Sequence, residues 1–210
     1  FGMKNSKLEM ELYNFSYSSN AQKRLYKNKK YWKSVVSKFK RFKMTYETWF
    51  REKSLISGQE YLGNQLIAQN ASSKGYDAII NEYVYIDTYH VSDIFKKIPN
   101  AWDMMKGIGI DLGGGVGCVS STIAKKEDVK KIFCVELVED VVKLCQPIVK
   151  KNILGENSDK VSSVVGSFDN LKLEDNSVDF AVSWDAMHHS TCLSKTLTEC
   201  KRVLKDNSIF

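Results

Sequence analysis

The residues best suited to chemistry lie in Asp111-Leu112-Gly113-Gly114-Gly115-Val116-Gly117, between an apolar run and a segment of helical periodicity. Glycine turns tightly and lets a ligand approach the backbone. A helix that follows such a loop aims its free N–H groups at whatever is bound. Glu136 closes the next apolar run, nineteen residues past Gly117. A carboxylate there can accept both hydroxyls of a ribose. Loop and acid together describe a site for an adenosine-containing ligand. The alternatives are a tight structural turn and a solvated or helix-starting glutamate.

Two regimes of hydrophobic pattern frame these residues. Up to about Lys106 the periodicity is helical. Trp32, Val35, Val36, Phe39, Phe42, Tyr46, Trp49 and Phe50 recur at three- and four-residue steps, which predicts one face of a helix. Ser57 followed by Glu60 fits a capping box and predicts a second helix, reaching about Asn70. Short helices are expected over 71–106. From Gly107 short apolar runs alternate with amphipathic segments. The runs are Ile108–Leu112, Lys131–Glu136, Val161–Val165 and Val178–Ser183, and a last one opens at Ile209. Helices are expected near 117–125, 139–152 and 193–203, the second kinked at Pro147. Strand–helix alternation with short connections predicts an α/β fold, a doubly wound, mostly parallel sheet with helices on both faces. The division expected is a helical N-terminal extension or lid over 1–106 and a Rossmann-like domain over 107–210.

Later segments narrow the choice of ligand. Gly166-Ser167-Phe168-Asp169-Asn170-Leu171 follows the third run, Val178 to His189 makes the fourth run and its exit, and Arg202-Val203-Leu204-Lys205 closes the next helix. Taken with the glycine loop and Glu136, this order resembles the class I S-adenosylmethionine-dependent methyltransferases, in particular the small-molecule methyltransferase group, over about residues 105–210. The resemblance implies S-adenosylmethionine as cofactor. It implies that Asp111, Gly113, Gly115 and Gly117 hold the amino-acid part of the donor, Glu136 the ribose, and Leu137 lies against the adenine. The family's loop after the third strand usually reads Gly-Asp-Ala-Glu. Here Ser167 stands at the aspartate and Asp169 at the glutamate, so the adenine contact falls to Asp169 or to a backbone group, with Phe168 in the same set. The exit of the fourth strand puts Ser183, Trp184 and Asp185 beside the reactive methyl. His188 and His189 match the family's apolar-His-His stretch and are the candidates for a general base, against the alternative of hydrogen-bonded structural histidines. Asp206-Asn207-Ser208 replaces the family's Pro-Gly-Gly and still permits a turn. The family's sheet has seven strands, so further C-terminal strands are expected beyond Phe210.

Composition bounds the remaining readings. The net charge is +6, yet ten basic residues and no acid fall between Lys23 and Lys43, which leaves the rest mildly acidic. No run reaches the roughly 18 apolar residues of a membrane span, and no signal peptide is visible. The five cysteines form no CxxC pair and the three histidines are not spaced as zinc ligands. Reduced thiols in a cytoplasmic protein are expected, with no metal. Two rivals stay open. A nicotinamide-dependent oxidoreductase explains the loop and Glu136 but not residues 178–205. A non-catalytic protein binding nucleic acid or membrane would use the basic segment, which is otherwise read as a lid helix. The fourth-strand exit lacks the Asn/Asp-Pro-Pro-aromatic loop and the Pro-Cys nucleophile of nucleic-acid methylating enzymes. A small-molecule acceptor is therefore expected.

Overall fold

Short apolar runs that alternate with amphipathic helices must be buried on both sides, and the computed structural model shows how. It describes residues 45–81 and 85–210, and residues 45–210 form one compact unit. The expectation for the basic segment Lys23–Lys43 lies outside the described residues. In chain order the elements are β1 (Glu47–Thr48), α1 (Gln59–Lys74), α2 (Tyr76–Ile79), α3 (Tyr85–Lys97), α4 (Ala101–Met104), β2 (Gly107–Leu112), α5 (Cys118–Ala124), β3 (Val129–Glu136), α6 (Gln146–Leu154), β4 (Val161–Val165), β5 (Val178–Val182), α7 (Leu193–Val203) and β6 (Leu204–Ile209). The strands order as β1-β4-β3-β2-β5-β6, and every pairing is parallel.

Alternate residues of the central strands point to opposite faces, and each face has its own core. Ile132, Cys134, Phe180 and Val182 pack with Val119 and Ile123 of α5, Val91 and Phe95 of α3, and Met105. On the other face Ile110, Leu112, Val135, Val164 and Ala181 pack with Cys200 and Val203 of α7. Gly109 is required by this packing: a methyl there would sit 2.1 Å from the Phe180 ring. The chain runs from β2 outward through β3 to β4, then returns to the other side of β2 for β5. In open sheets of this kind ligands bind at such a reversal, beyond the carboxyl ends of the strands.

Four expectations are corrected. The helical face does not reach Phe50: residues 47–48 form a short edge strand paired with Val164 and Val165. Trp49 N–H donates to the Val165 carbonyl at 2.8 Å, and its ring is buried against Phe133, centroids 5.9 Å apart. Thr and aromatic residues favour a pleated surface, and burial of Trp49 decides for the strand. The capping box at Ser57 does not form. The Ser57 hydroxyl instead donates to the Lys53 and Ser54 carbonyls, α1 begins after Gly58, and it runs to Lys74. Pro147 does not kink a continuous helix. A π-helical turn over Val141–Cys145 comes first, and Pro147 sits in the first turn of α6, where its missing N–H costs nothing. The last strand starts at Leu204 directly after α7, five residues before the expected Ile209.

Candidate functional site

The glycine loop leaves β2 with its turns set by positive φ at Gly113 (75°), Gly115 (51°) and Gly117 (87°). Gly113 and Gly114 N–H both donate to the Val135 carbonyl, at 3.0 and 2.9 Å, so the loop is fastened to β3. Gly113, Gly114 and Gly115 differ in what surrounds them. A methyl on Gly113 would meet the Ala186 methyl at 2.3 Å, and one on Gly114 would meet Cys134 Sγ at 2.4 Å. A methyl on Gly115 would meet no atom within 4 Å. Gly115 therefore presents bare backbone to open space, the surface a close-fitting ligand needs.

Two carboxylates underlie the loop. Asp111 is fully buried. Its Oδ2 accepts from Ser120 Oγ at 2.6 Å, whereas Oδ1 has no hydrogen-bond partner. Burial raises its pKa to about 6; the Ser120 hydrogen bonds oppose the shift and the nearby Glu136 adds to it. Glu136 ends β3 and accepts two backbone N–H groups, Gly115 at 3.0 Å on Oε2 and Val138 at 2.8 Å on Oε1. Burial also raises its pKa, against those N–H groups. A carboxylate has about four acceptor positions, so Glu136 retains capacity for donors such as ribose hydroxyls. The orphan oxygen of Asp111, the spare capacity of Glu136 and the open face of Gly115 fit a cationic, ribose-containing group. Leu137 follows Glu136, and its carbonyl accepts from Arg51 Nη1 at 3.1 Å.

The other expected residues divide. The Phe168 ring reaches 3.7 Å from the methyl position of Gly113, beside Ala186. Ser183 Oγ donates to the Leu112 carbonyl at 2.9 Å, tying the β5 exit to the start of the glycine loop. Trp184 packs edge-on against Phe95, centroids 5.8 Å apart. Asp185 has a φ of 51° and turns the chain. His188 and His189 lie on a one-turn helix, Met187–His189, with rings 3.8 Å apart. Phe168 follows the carboxyl end of β4, and Ser183 to His189 follow that of β5. Asp169 is turned elsewhere. Its buried carboxylate accepts from Thr191 Oγ1 at 3.1 Å and from Thr196 Oγ1, which anchors the start of α7. The adjacent Ser167 Oγ accepts the Asp169 N–H at 3.2 Å.

Several residues that shape the site carry no local sequence signal. Gln146, buried at the start of α6, donates to the Gly115 carbonyl at 2.8 Å and contacts Cys134 Sγ at 3.3 Å. A polar residue among Val141, Val142, Cys145 and Val149 is the only hint. Arg51 also pairs with Glu139 at 3.5 Å, and Glu139 accepts from Tyr46 at 3.0 Å. Helix α1 contacts the segments that follow both β3 and β5: Gln69 donates to Asp140 at 2.7 Å, and Glu60 in its first turn meets His189. All five cysteines are free thiols, four of them buried. Among the described residues no cluster of His, Cys, Asp and Glu could hold a metal ion, and no helix is long and apolar enough to cross a membrane.

Comparison with known proteins supplies the remaining information. Residues 110–210 match the methyltransferase domain family model. No curated protein sequence matches the chain. Among solved structures, a provisionally assigned S-adenosyl-L-methionine-dependent methyltransferase from Methanococcus maripaludis is 24% identical. The match covers 77% of this chain and 66% of that one, with a TM-score of 0.53. A provisionally assigned sarcosine dimethylglycine methyltransferase from Galdieria sulphuraria is 28% identical over 56% of this chain and 43% of that one, with a TM-score of 0.48. The chain thus spans 66% and 43% of the length of these two proteins.

Proposed function

We propose that this chain transfers a methyl group from S-adenosylmethionine to a small-molecule acceptor, a reading supported by the match of residues 110–210 to the methyltransferase domain model and by the fold shared with the Methanococcus maripaludis protein. The observation that carries the reading is the pairing of Gly115, whose exposed backbone faces open space, with Glu136, whose carboxylate holds Gly115 and Val138 N–H groups at the end of β3.

In this reading the donor is held by residues of β2 and β3. Asp111, Gly113, Gly115 and Gly117 take its amino-acid end, Asp111 offering the oxygen that lacks a partner. Glu136 accepts the ribose hydroxyls, and Leu137 and Phe168 flank the adenine. S-adenosylmethionine supplies a methyl on a sulfonium centre, already activated for displacement. The chain's part is then chiefly to hold the acceptor in line, which can contribute much of the acceleration. Ser183 and Trp184 form the wall between donor and acceptor sides, and His188 and His189 stand where an acceptor proton would be removed. Helix α1 is read as a cover over the acceptor side. Free thiols throughout accord with a cytoplasmic setting.

The test is calorimetry of the chain with S-adenosylmethionine, its demethylated product and NAD, on wild type and Glu136→Ala. The methyl donor and product should bind and NAD should not. Loss of two charge-assisted hydrogen bonds, each worth about 1.5–3 kcal/mol, should weaken donor binding at least tenfold in the folded variant. Tight NAD binding with no response to the donor would refute the proposal.

A further inference from the structure

A polar amide sits on the buried face of α6, where helical periodicity calls for an apolar residue. Gln146 is fully buried, as are Val142, about one turn before it, and Val149, one turn after. The π-helical turn Val141–Cys145 directly precedes it. Such turns widen a helix locally and are frequent at functional sites. The stem of Gln146 lies under Gly117, its Cγ 3.6 Å from where a methyl on that glycine would stand. Its amide reaches on to Gly115.

The partners of the amide fix its orientation. A carbonyl only accepts, so the group facing the Gly115 carbonyl at 2.8 Å is the Nε2 amine. Nε2 also meets Cys134 Sγ at 3.3 Å, which occupies its second hydrogen. Oε1 is buried without a partner. An unsatisfied buried oxygen lowers stability, and a methionine of similar size would fill the space without that cost. The other polar atom of Gly115, its N–H, is held by Glu136 Oε2 at 3.0 Å. Gly115 is thus gripped from β3 at its nitrogen and from α6 at its oxygen. With a φ of 51° and nothing around its methyl position, this glycine has no side-chain packing to hold it, and glycine is the residue that rotates most freely.

We infer that Gln146 is a positioning residue of the donor site, acting through the Gly115 carbonyl to hold that glycine in the conformation that presents its open backbone to S-adenosylmethionine. The inference rests on the methyl-donor reading of the loop and adds to it a residue from a helix outside the glycine pattern. A loop held in this way is already ordered when the donor arrives, so binding does not have to order it. The amide strengthens donor binding at some expense to the fold.

Two variants test this, with donor affinity followed by calorimetry and stability by thermal melting. Gln146→Met keeps the volume and removes both hydrogen bonds. Gly115 is partly exposed, so its freed carbonyl can turn to solvent. The variant should melt no lower than wild type, while its Kd for S-adenosylmethionine rises about tenfold, the worth of one well-made hydrogen bond. Gln146→Glu can donate to the Gly115 carbonyl only while its carboxyl is protonated. Burial holds such a carboxyl above its ordinary range. The titratable groups around it are Cys134, in contact, and Asp111, Glu136 and Lys150, which act on the Cys134 thiol. The ratio of its donor Kd to that of wild type at the same pH should therefore be close to one near about pH 5.5 and rise to about tenfold near about pH 8. A side chain that only filled space would give a ratio independent of pH. Such a constant ratio, wild-type affinity in Gln146→Met, or a lowered melting temperature in Gln146→Met would overturn the assignment. Failure of the wild type to bind the donor would instead sink the methyl-donor reading, and this inference with it.

Discussion

Gly113 and Gly115 stand two residues apart, both with positive φ, yet alanine at the two positions should have different consequences. Both have positive φ, 75° and 51°, so each substitution carries about 1–2 kcal/mol of left-handed strain. At Gly115 that is the whole cost to the fold, because the new methyl meets nothing within 4 Å. At Gly113 the methyl arrives 2.3 Å from the Ala186 methyl, which has no rotamer through which to escape. Overpacking of this kind adds about 1–3 kcal/mol, giving a total of about 2–5 kcal/mol for Gly113→Ala. For a compact unit of this size 1 kcal/mol corresponds to about 2–4 °C in Tm. Gly115→Ala should therefore melt about 2–8 °C below wild type and Gly113→Ala about 4–20 °C below. Donor binding should separate the pair in the other sense. The Gly115 methyl enters the open space assigned to the donor, so calorimetry on the well-folded Gly115→Ala should show Kd raised at least tenfold. Gly113→Ala melting no lower than Gly115→Ala would refute the packing argument. Wild-type donor affinity in Gly115→Ala would remove the donor from this face of the loop.

Two further outcomes follow from the carboxylates. Burial raises the Asp111 pKa to about 6 from its ordinary 3.8, so between about pH 4 and 6 the native state binds a proton that the unfolded chain has lost. The contribution of Asp111 to stability consequently falls as pH rises through that window, by about 3 kcal/mol in all. Asp111→Asn should gain on wild type across the same range in urea denaturation. A stability difference that does not change between pH 4 and 7 would show that Asp111 is not the group concerned. Asp169→Ala leaves the Thr191 and Thr196 hydroxyls without their carboxylate and should cost about 1–3 kcal/mol of stability while donor affinity stays within a factor of about 3, less than half the energy of a tenfold change. A tenfold loss of donor affinity in a stable Asp169→Ala would restore the adenine contact implied by the family's loop.

What could be read from the sequence, and what could not, follows from the range of the interactions involved. β2 to β5 are central parallel strands, buried on both faces, so each is a local apolar run bounded by glycine or polar residues and is visible as such. The glycine loop is visible because positive φ selects the residue directly. β1 was hidden for the opposite reason. It is two residues long, its pairing lies with Val164 and Val165, and Trp49 happens to continue a helical spacing. The capping box at Ser57 was undone by competition, the hydroxyl finding nearer carbonyls. In the site, Asp111 and Glu136 announce themselves at the ends of strands. Their partners do not: Ser120, Gln146, Arg51 and Glu60 reach the loop or its rim from other elements. Nor did the family's loop pattern reveal that Asp169 is taken up by two threonines.

The cost of Asp111 is itself an argument for its use. The fold does not need a carboxylate at that point in β2, since the same face of the sheet is otherwise filled by Cys134, Phe180 and Val182. A fully buried acid with one oxygen unpartnered lowers stability at neutral pH, and Glu136 nearby makes its ionisation harder still. Two carboxylates that disfavour each other's charge under one loop make sense as a site completed by a cation with hydroxyl groups, because that ligand relieves both. S-adenosylmethionine has both features, an ammonium and a sulfonium charge on its amino-acid part and ribose hydroxyls beyond the sulfonium. The rim has the opposite character. Glu60 and His189 are partly exposed and meet across distant elements, so they can change without disturbing β2 or β3. Residues hung on a helix and a turn can vary while the sheet that carries them stays the same.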